Sequence, residues 1–311
     1  GADVEYRQDG NLRLARNPAE AAAIAAMVDG QRARGLDLAY LPDTAAVRAV
    51  APAIAESVVA ASFCPTDGHA NPTATVRAFA AAAERHGARI RTGAAVTAIA
   101  AGGGRVRGVR TETGDIAADA VLVAAGVWSG RLCAPLGVDL PIRVGQVAAV
   151  QTVPLPPLIR PVLGVAGADF AGRQEVGGRF RLTGGGTPWP DDLDDLAAGN
   201  DPVQPPARNV MTALTRAIDV LPALAGARIA RVWGGLLDLT PDALPIVERV
   251  PEVVGLVVAA GFSGHGFCLG PVTGQIARDL VHGREPNLPL APFRRDRFAA
   301  AAEPVAATLH G

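Results

Sequence analysis

The sequence predicts a mixed α/β protein (α+β in parts) built as two lobes, and three observations predict it. Two unbroken apolar segments, Ala120–Ala124 and Leu256–Ala259, each run into a glycine turn and then a helix signal, the pattern of buried strands in a parallel sheet. Between Arg89 and Ala118 lies a run of short alternating segments, which reads as a small antiparallel meander. From Pro141 onward short strands are separated by Pro- and Gly-rich turns, the texture of a separate antiparallel sheet.

Taken in order, Pro18–Arg34 is a helix: alanine-rich, with Ile24, Met27 and Val28 at helical spacing, and opened by Asn17 and Pro18 as cap and first-turn proline. A short helix over Asp43–Val50 stops before Pro52, and Val58–Phe63 follows as a strand. Asn71 and Pro72 repeat the cap signal ahead of helix Thr73–His86, whose apolar stripe is Val76, Phe79, Ala80 and Ala83 and whose stop is Gly87. The meander comprises Arg89–Arg91, Ala94–Ala100, Arg105–Glu112 and Asp115–Ala118. In the second lobe, strands Ile142–Thr152, Gly164–Asp169 and Arg179–Thr183 precede a helix near Arg208–Val220, and the acidic stretch Pro190–Gln204 reads as a mobile surface loop. Strand Leu256–Ala259 and a helix Pro271–His282, stopped by Gly283, close the ordered pattern. The expected organisation is a helical N-terminal part of the second lobe (1–62), a first-lobe part (63–140), the antiparallel-sheet lobe (141–230), a return to the first lobe (231–283) and a tail (284–311).

Composition limits the function classes. The chain has 311 residues, 49% hydrophobic and 19% charged, enough for a sizeable core. Its 29 Lys and Arg against 30 Asp and Glu give a net charge of -1, so electrostatics offers no reason to expect nucleic acid or an acidic membrane as partner. A small molecule or another subunit is the expected partner. Cys64, Cys133 and Cys268 lie far apart without paired spacing, which predicts neither a metal site nor a disulfide framework. Gly1–Asn11 is polar, with no basic start leading into an apolar stretch, so no signal peptide is expected and a reducing cytoplasm is the expected compartment. Val253–Ala277 carries no formal charge and is long enough to span a bilayer, but its six glycines and Pro271 favour a buried strand, a glycine loop and a helix start.

Five blocks carry the chemistry: DGHANPTATVRAF from Asp67, VLVAAGVWSG from Val121, RVWGG from Arg231, TPDALPIV from Thr240 and GFSGHGF from Gly261. In this order they resemble the FAD-dependent D-amino-acid oxidase, glycine oxidase and sarcosine oxidase family, over Gly1 to about Gly283. The resemblance implies an FAD-binding Rossmann-like lobe with an antiparallel-sheet substrate lobe. It also implies oxidation of the C–N bond of a secondary amine or amino acid of the sarcosine, glycine, D-amino acid, opine or imino acid type, by hydride transfer to the flavin. A 2-hydroxy-acid dehydrogenase on the same fold, and a noncatalytic or truncated subunit acting in assembly, are the alternatives.

The residues fit that implication physically. Gly261, Gly264 and Gly266 let backbone approach a flat ligand, and the helix beyond them points its positive end at the loop. Backbone N–H groups at His265 or Gly266 can stabilise negative charge on a reduced flavin. The remaining loop residues, Phe262, Ser263 and Phe267, fall in the same contact region, although a glycine-rich bend serving only strand–helix packing has the same pattern. By resemblance Ala124, Ala125 and Gly126 contact the nucleotide's phosphate side, and Val96 touches the adenine end unless it is simply a core valine. Trp128 is either a cofactor contact or a packing anchor. His265, the candidate catalytic residue, looks like a family residue on the substrate face of the flavin, or is a loop histidine satisfied by backbone. His69, before a helix start, reads as a turn residue.

Departures from the family pattern sharpen the expectations. Gly235 stands where monomeric sarcosine oxidases carry the cysteine that attaches flavin, so the FAD is expected to be noncovalent. Cys268 replaces their substrate-carboxylate lysine, and Leu237 stands where glycine oxidases place an arginine for that group. Arg143 or Arg181 on the sheet lobe is the expected substitute, each equally readable as a solvated arginine. Family members open with a strand, a GxGxxG turn and a helix, followed by an acidic residue; nothing in Gly1–Phe63 matches. The resemblance therefore implies a first βαβ unit, roughly 70 residues, that this sequence lacks.

Overall fold

The computed structural model describes residues 1–193, 196 and 203–298. Its largest element is an eight-stranded sheet in the order β12-β8-β11-β10-β9-β1-β3-β2. The strands are β1 (Asn11–Ala15), β2 (Ala39–Leu41), β3 (Ala60–Cys64), β8 (Arg143–Pro154), β9 (Val162–Val165), β10 (Phe170–Gln174), β11 (Arg179–Pro188) and β12 (Ile229–Leu239). All neighbours pair antiparallel except β1 and β9, which run parallel.

One face of this sheet is the main core. Leu12, Leu14, Val150, Leu163, Phe170, Phe180 and Leu182 are buried there, against helices α2 (Thr44–Val50) and α5 (Ala207–Val220). Gly184 lets α5 approach, because a Cβ there would lie 2.6 Å from Ala213 Cα. On the opposite face, helix α1 (Pro18–Arg32) packs Ile24 and Val28 over Ala15 and Ala60 at the β2–β3 end. Its cap is as the sequence indicates: the Asn17 side chain accepts the Glu20 N–H and Pro18 opens the first turn.

A second sheet, β13-β14-β7, joins Ile246–Arg249 (β13), Leu256–Ala260 (β14) and Val121–Val123 (β7). β14 is buried along its whole length and pairs parallel with β7, whose other edge has no strand among the described residues. Helix α6 (Gly266–Val281) covers one side through Ile276 and Leu280. The meander β4 (Val96–Gly102), β5 (Arg105–Thr111) and β6 (Gly114–Ala117) lies on the other, with Ile99 and Val106 in a shared cluster with Val123, Leu256 and Val258. The short helix α4 (Ser129–Cys133) follows β7.

Several elements depart from the sequence reading. The N-terminal part contributes strands as well as helices: β1 and β3 sit inside the large sheet, with β2 at its edge. β1 is only five residues, and its alternation of Leu12 and Leu14 with Asn11 and Arg13 is too short to stand out beside the long α1 pattern. β10 is likewise short and contains Gly172. Arg89–Arg91 forms no strand. Helix α6 starts at Gly266 and runs through Pro271, which removes the helical donor to the Phe267 carbonyl and sits on the exposed side of the helix. Helix α3 (Pro72–Arg85) has the expected cap, Asn71 accepting from Ala74 N–H, yet none of its residues is buried. Val76 and Phe79 of its apolar stripe are 64% and 58% exposed.

In the expected loop Pro190–Gln204, residues 194–195 and 197–202 lie outside the described residues, as do 299–311 of the tail. The described part of the tail straps back on the second sheet and the turn before it: Arg295 pairs with buried Glu248 in β13, and Arg297 with Asp242 in the turn. Among the described residues no helix is long and apolar enough to cross a membrane.

Candidate active site

The segment Gly261–His265 leaves the buried end of β14 and turns into α6 through two residues with positive φ in succession, Ser263 (51°) and Gly264 (87°), after Gly261 (72°). Gly261 is obligatory, since a Cβ there would meet the Thr240 methyl as well as the left-handed backbone. Asp238 at the end of β12 holds the loop: its carboxylate accepts the Gly261 N–H at 2.7 Å and its carbonyl accepts the Ser263 N–H at 3.1 Å. The buried Ser263 hydroxyl accepts the Thr240 N–H at 3.1 Å and lies 3.1 Å from the Thr240 hydroxyl. The TPD block and the glycine loop are thus one hydrogen-bonded unit. His265 takes the cap position of α6 without a side-chain cap, so the first N–H groups of the helix remain free for a ligand.

This loop faces the sheet across a cavity of about 330 Å³, lined by Ser263, Gly264 and His265 on one side and by Arg13, Gly164, Ala171, Thr183, Val147 and Leu237 among others on the other. Strand register explains its floor. A single row of paired residues crosses all eight strands, reading Tyr40, Ser62, Arg13, Gly164, Ala171, Thr183, Ala149 and Trp233. The middle of that row is small residues, which lowers the floor, and Arg13 is its only charge. Of the cavity lining, Arg13 and His265 are the titratable groups.

The predicted site residues fall in three places. Ser263, Gly264 and His265 line the cavity, with Gly261, Phe262, Gly266, Phe267 and Cys268 in the same loop and helix start. Cys268 is exposed and donates its thiol to the His265 carbonyl at 3.1 Å. Gly126 and Trp128 line a second cleft with Leu236 and Asp238, next to Ala124 and Ala125 at the end of β7. Val96 opens β4, half exposed and opposite Thr111. Gly235 lies on β12 opposite Val147. The expected arginines do not enter the cavity lining. Arg143 is exposed at the start of β8, and Arg181 is paired with Glu175 at 2.7 Å and lies over the Trp233 ring. Sequence reasoning missed Arg13, whose signal was an arginine alternating with two leucines in a short strand.

The comparisons bear on this geometry directly. Residues 1–280 match the DAO family, described as FAD dependent oxidoreductase. The chain is 31% identical over 305 residues to the D-amino acid dehydrogenase of Cereibacter sphaeroides, covering 96% of this chain and 67% of that one. It is 30% identical over 301 residues to the glycine oxidase of Geobacillus kaustophilus, covering 96% and 76%. The crystal structure of the Geobacillus kaustophilus glycine oxidase superposes with a TM-score of 0.86 at 28% identity, covering 96% of this chain and 77% of that one. L-proline dehydrogenase from P. horikoshii superposes with a TM-score of 0.85 at 26% identity, covering 94% and 77%. This chain is a member of the FAD-dependent oxidoreductase family.

The residues of this FAD-dependent oxidoreductase fit its cofactor. Gly126 has φ +53°, and a Cβ built on it would meet no protein atom within 4 Å, so the turn after β7 is open toward the cleft. Trp128 and Phe267, 41% and 49% exposed, stand beside the two glycine turns as aromatic surface that a flat ring system can cover. The N-terminus of α6 turns its positive end toward the glycine loop that lines the cavity.

Proposed function

We propose that Gly261–Phe267, Ala124–Gly126, Trp128 and Val96 hold FAD noncovalently, and that the cavity over Arg13 and His265 receives an amino acid or secondary amine whose C–N bond is oxidised. The observation that carries the reading is the single cavity bounded by the glycine loop on one side and by a cationic, otherwise small-residue sheet row on the other. Gly235 offers no thiol for covalent attachment, in keeping with a dissociable cofactor.

Bound FAD supplies the two-electron acceptor, taking hydride from the carbon beside nitrogen. The chain's own residues do the rest. Arg13 attracts and orients the substrate carboxylate. His265 accepts at an imidazole nitrogen the proton that leaves the amine, so the C–N single bond becomes C=N as two electrons and two protons depart. The small floor residues leave room for the substrate carbon to lie against the loop, and water entering the opened cavity hydrolyses the imine to a carbonyl compound and an amine. Asp238, Thr240 and Ser263 act behind the loop by fixing it.

The test is a substrate panel on the flavin-loaded protein with an artificial electron acceptor: amino acids of both hands, N-alkyl amino acids and 2-hydroxy acids. Turnover of amines, with stoichiometric carbonyl product, is expected. Turnover confined to 2-hydroxy acids would overturn the C–N assignment.

A further inference from the structure

Half-buried arginines in this protein mostly carry a carboxylate: Arg16 has Glu20 and Asp169, Arg295 has Glu248, and Arg297 has Asp242. Among the described residues, Arg13 and Arg173 form no ion pair. Among the described residues the side-chain hydrogen bond of Arg13 goes to the Met27 thioether at 3.7 Å, which brings no charge. The Arg173 Nε is buried with no hydrogen-bond partner among the described residues. Its acidic neighbour Glu175 is already engaged by Arg181 at 2.7 Å and by the Gln151 amide at 2.6 Å. Burial lowers the pKa of both guanidinium groups; at Arg173 repulsion from Arg181 adds to this and attraction to Glu175, itself shared with Arg181, opposes it. A cation withdrawn from water without a carboxylate of its own is costly unless an anion arrives.

The sheet puts the two cations on one face. Ala171 lines the cavity, and Arg173, two residues along the same strand, faces the same side. Ala171 pairs with Gly164, which pairs with Arg13, so β9 alone separates the two arginine strands. Interstrand and along-strand spacings place the two Cα atoms on the order of 12 Å apart. The floor between them is Gly164, Val162 and Ala171, and the lining reaches the Asn11–Val162 row beside Arg173. Arg181 and Arg231, both over the Trp233 ring, extend the positive face beyond Arg173.

We propose that Arg13 and Arg173 form a two-point anchor for a dicarboxylic amine, such as an N-carboxyalkyl amino acid. Arg13 holds the carboxylate next to the oxidised C–N bond, and Arg173 holds the distal one. The proposal rests on the C–N oxidation reading for the assignment of the first carboxylate, while the pairing of two cations across β9 is independent of it. Arginine suits both positions because its planar fork binds a carboxylate through two hydrogen bonds.

The experiment compares binding of glutarate and butyrate to the flavin-loaded protein by titration calorimetry, alongside kcat/KM for iminodiacetate and sarcosine. Glutarate is expected to bind at least about tenfold tighter than butyrate, as one added charge-assisted contact implies. Arg173→Met should erase that difference and leave butyrate affinity unchanged; Arg13→Met should weaken both ligands. Arg173→Lys, retaining charge, should restore part of the preference and serves if the Met variant fails to fold. Equal affinity of the parent for the two acids, or an undiminished preference in Arg173→Met, would overturn the anchor. Sarcosine turned over as efficiently as iminodiacetate overturns the anchor and leaves C–N oxidation standing. Selective glutarate binding without turnover of any amine overturns C–N oxidation and leaves the anchor.

Discussion

At Gly126 an added Cβ would touch nothing within 4 Å, yet the backbone is left-handed and the open space before it is where we place the cofactor. Gly126→Leu is therefore expected to cost only about 1–2 kcal/mol of stability from backbone strain while removing most bound flavin. Flavin absorbance per mole of protein, read beside a thermal melt, checks it; full flavin content would show the turn to be structural only. His265 is the titratable residue the loop presents to the cavity, and His265→Ala should lower kcat by roughly 10²-fold with flavin retained, the scale of a lost general base. An unchanged kcat would remove it from the chemistry. These positions were legible in the sequence because glycines clustered between a buried strand and a helix have few other uses. Arg13 was not, since a single arginine becomes informative only when pairing shows which side chains share its row. Arg143 and Arg181 looked equivalent to it for the same reason.

The elements that shape the site act through tethers rather than through bulk packing. Asp238, at the end of a long strand, accepts two N–H groups of the loop, one on its carboxylate and one on its carbonyl. Replacing it with Ala removes the charge-assisted bond to Gly261, worth about 1.5–3 kcal/mol, and should weaken flavin binding roughly tenfold or more while the sheet persists. Fluorescence titration with FAD measures this, and an unaltered affinity would mean that the loop is rigid without its tether. Long, strongly patterned elements were readable beforehand: α1 and α3 from their Asn–Pro starts, β8 from the Pro- and Gly-rich turns that bound it, β14 from its unbroken apolar run. Of those that were not, β1, β2, β10 and β13 are three to five residues long and owe their conformation to neighbours rather than to local pattern, whereas the eleven-residue β12 is interrupted in sequence by Gly234 and Gly235. The start of α6 was hidden by Pro271, whose cost is reduced by its exposed position.

On the scale of the whole molecule, two ion pairs fasten the tail to the second sheet and to the turn that precedes it, and they respond to pH with opposite signs. Burial alone would raise the Asp242 pKa, but hydrogen bonds from Arg297 hold it below the ordinary 3.8. A depressed carboxyl contributes stability above its unfolded pKa and loses it as pH falls through the folded value. Asp242→Asn should thus lower the melting temperature at neutral pH, by the equivalent of about 1–3 kcal/mol, and the gap to the parent should close as the pH drops below 3.8. A gap independent of pH would assign the loss to packing. Burial raises the Glu248 carboxyl despite Arg295, so that group favours the fold more at low pH and partly offsets the change. The exposed stripe of α3 makes a separate prediction: Val76→Glu with Phe79→Glu should reduce self-association in light scattering without lowering the melt, whereas unfolding would show that the stripe is buried in solution. The reaction proposed for this FAD-dependent oxidoreductase is hydride removal from a carbon bonded to nitrogen. Anaerobic mixing of the flavin-loaded protein with iminodiacetate, sarcosine and a 2-hydroxy acid tests it most directly: an amine should bleach the yellow absorbance with one carbonyl product formed per flavin, and bleaching by the hydroxy acid alone, or by none of them, would contradict it.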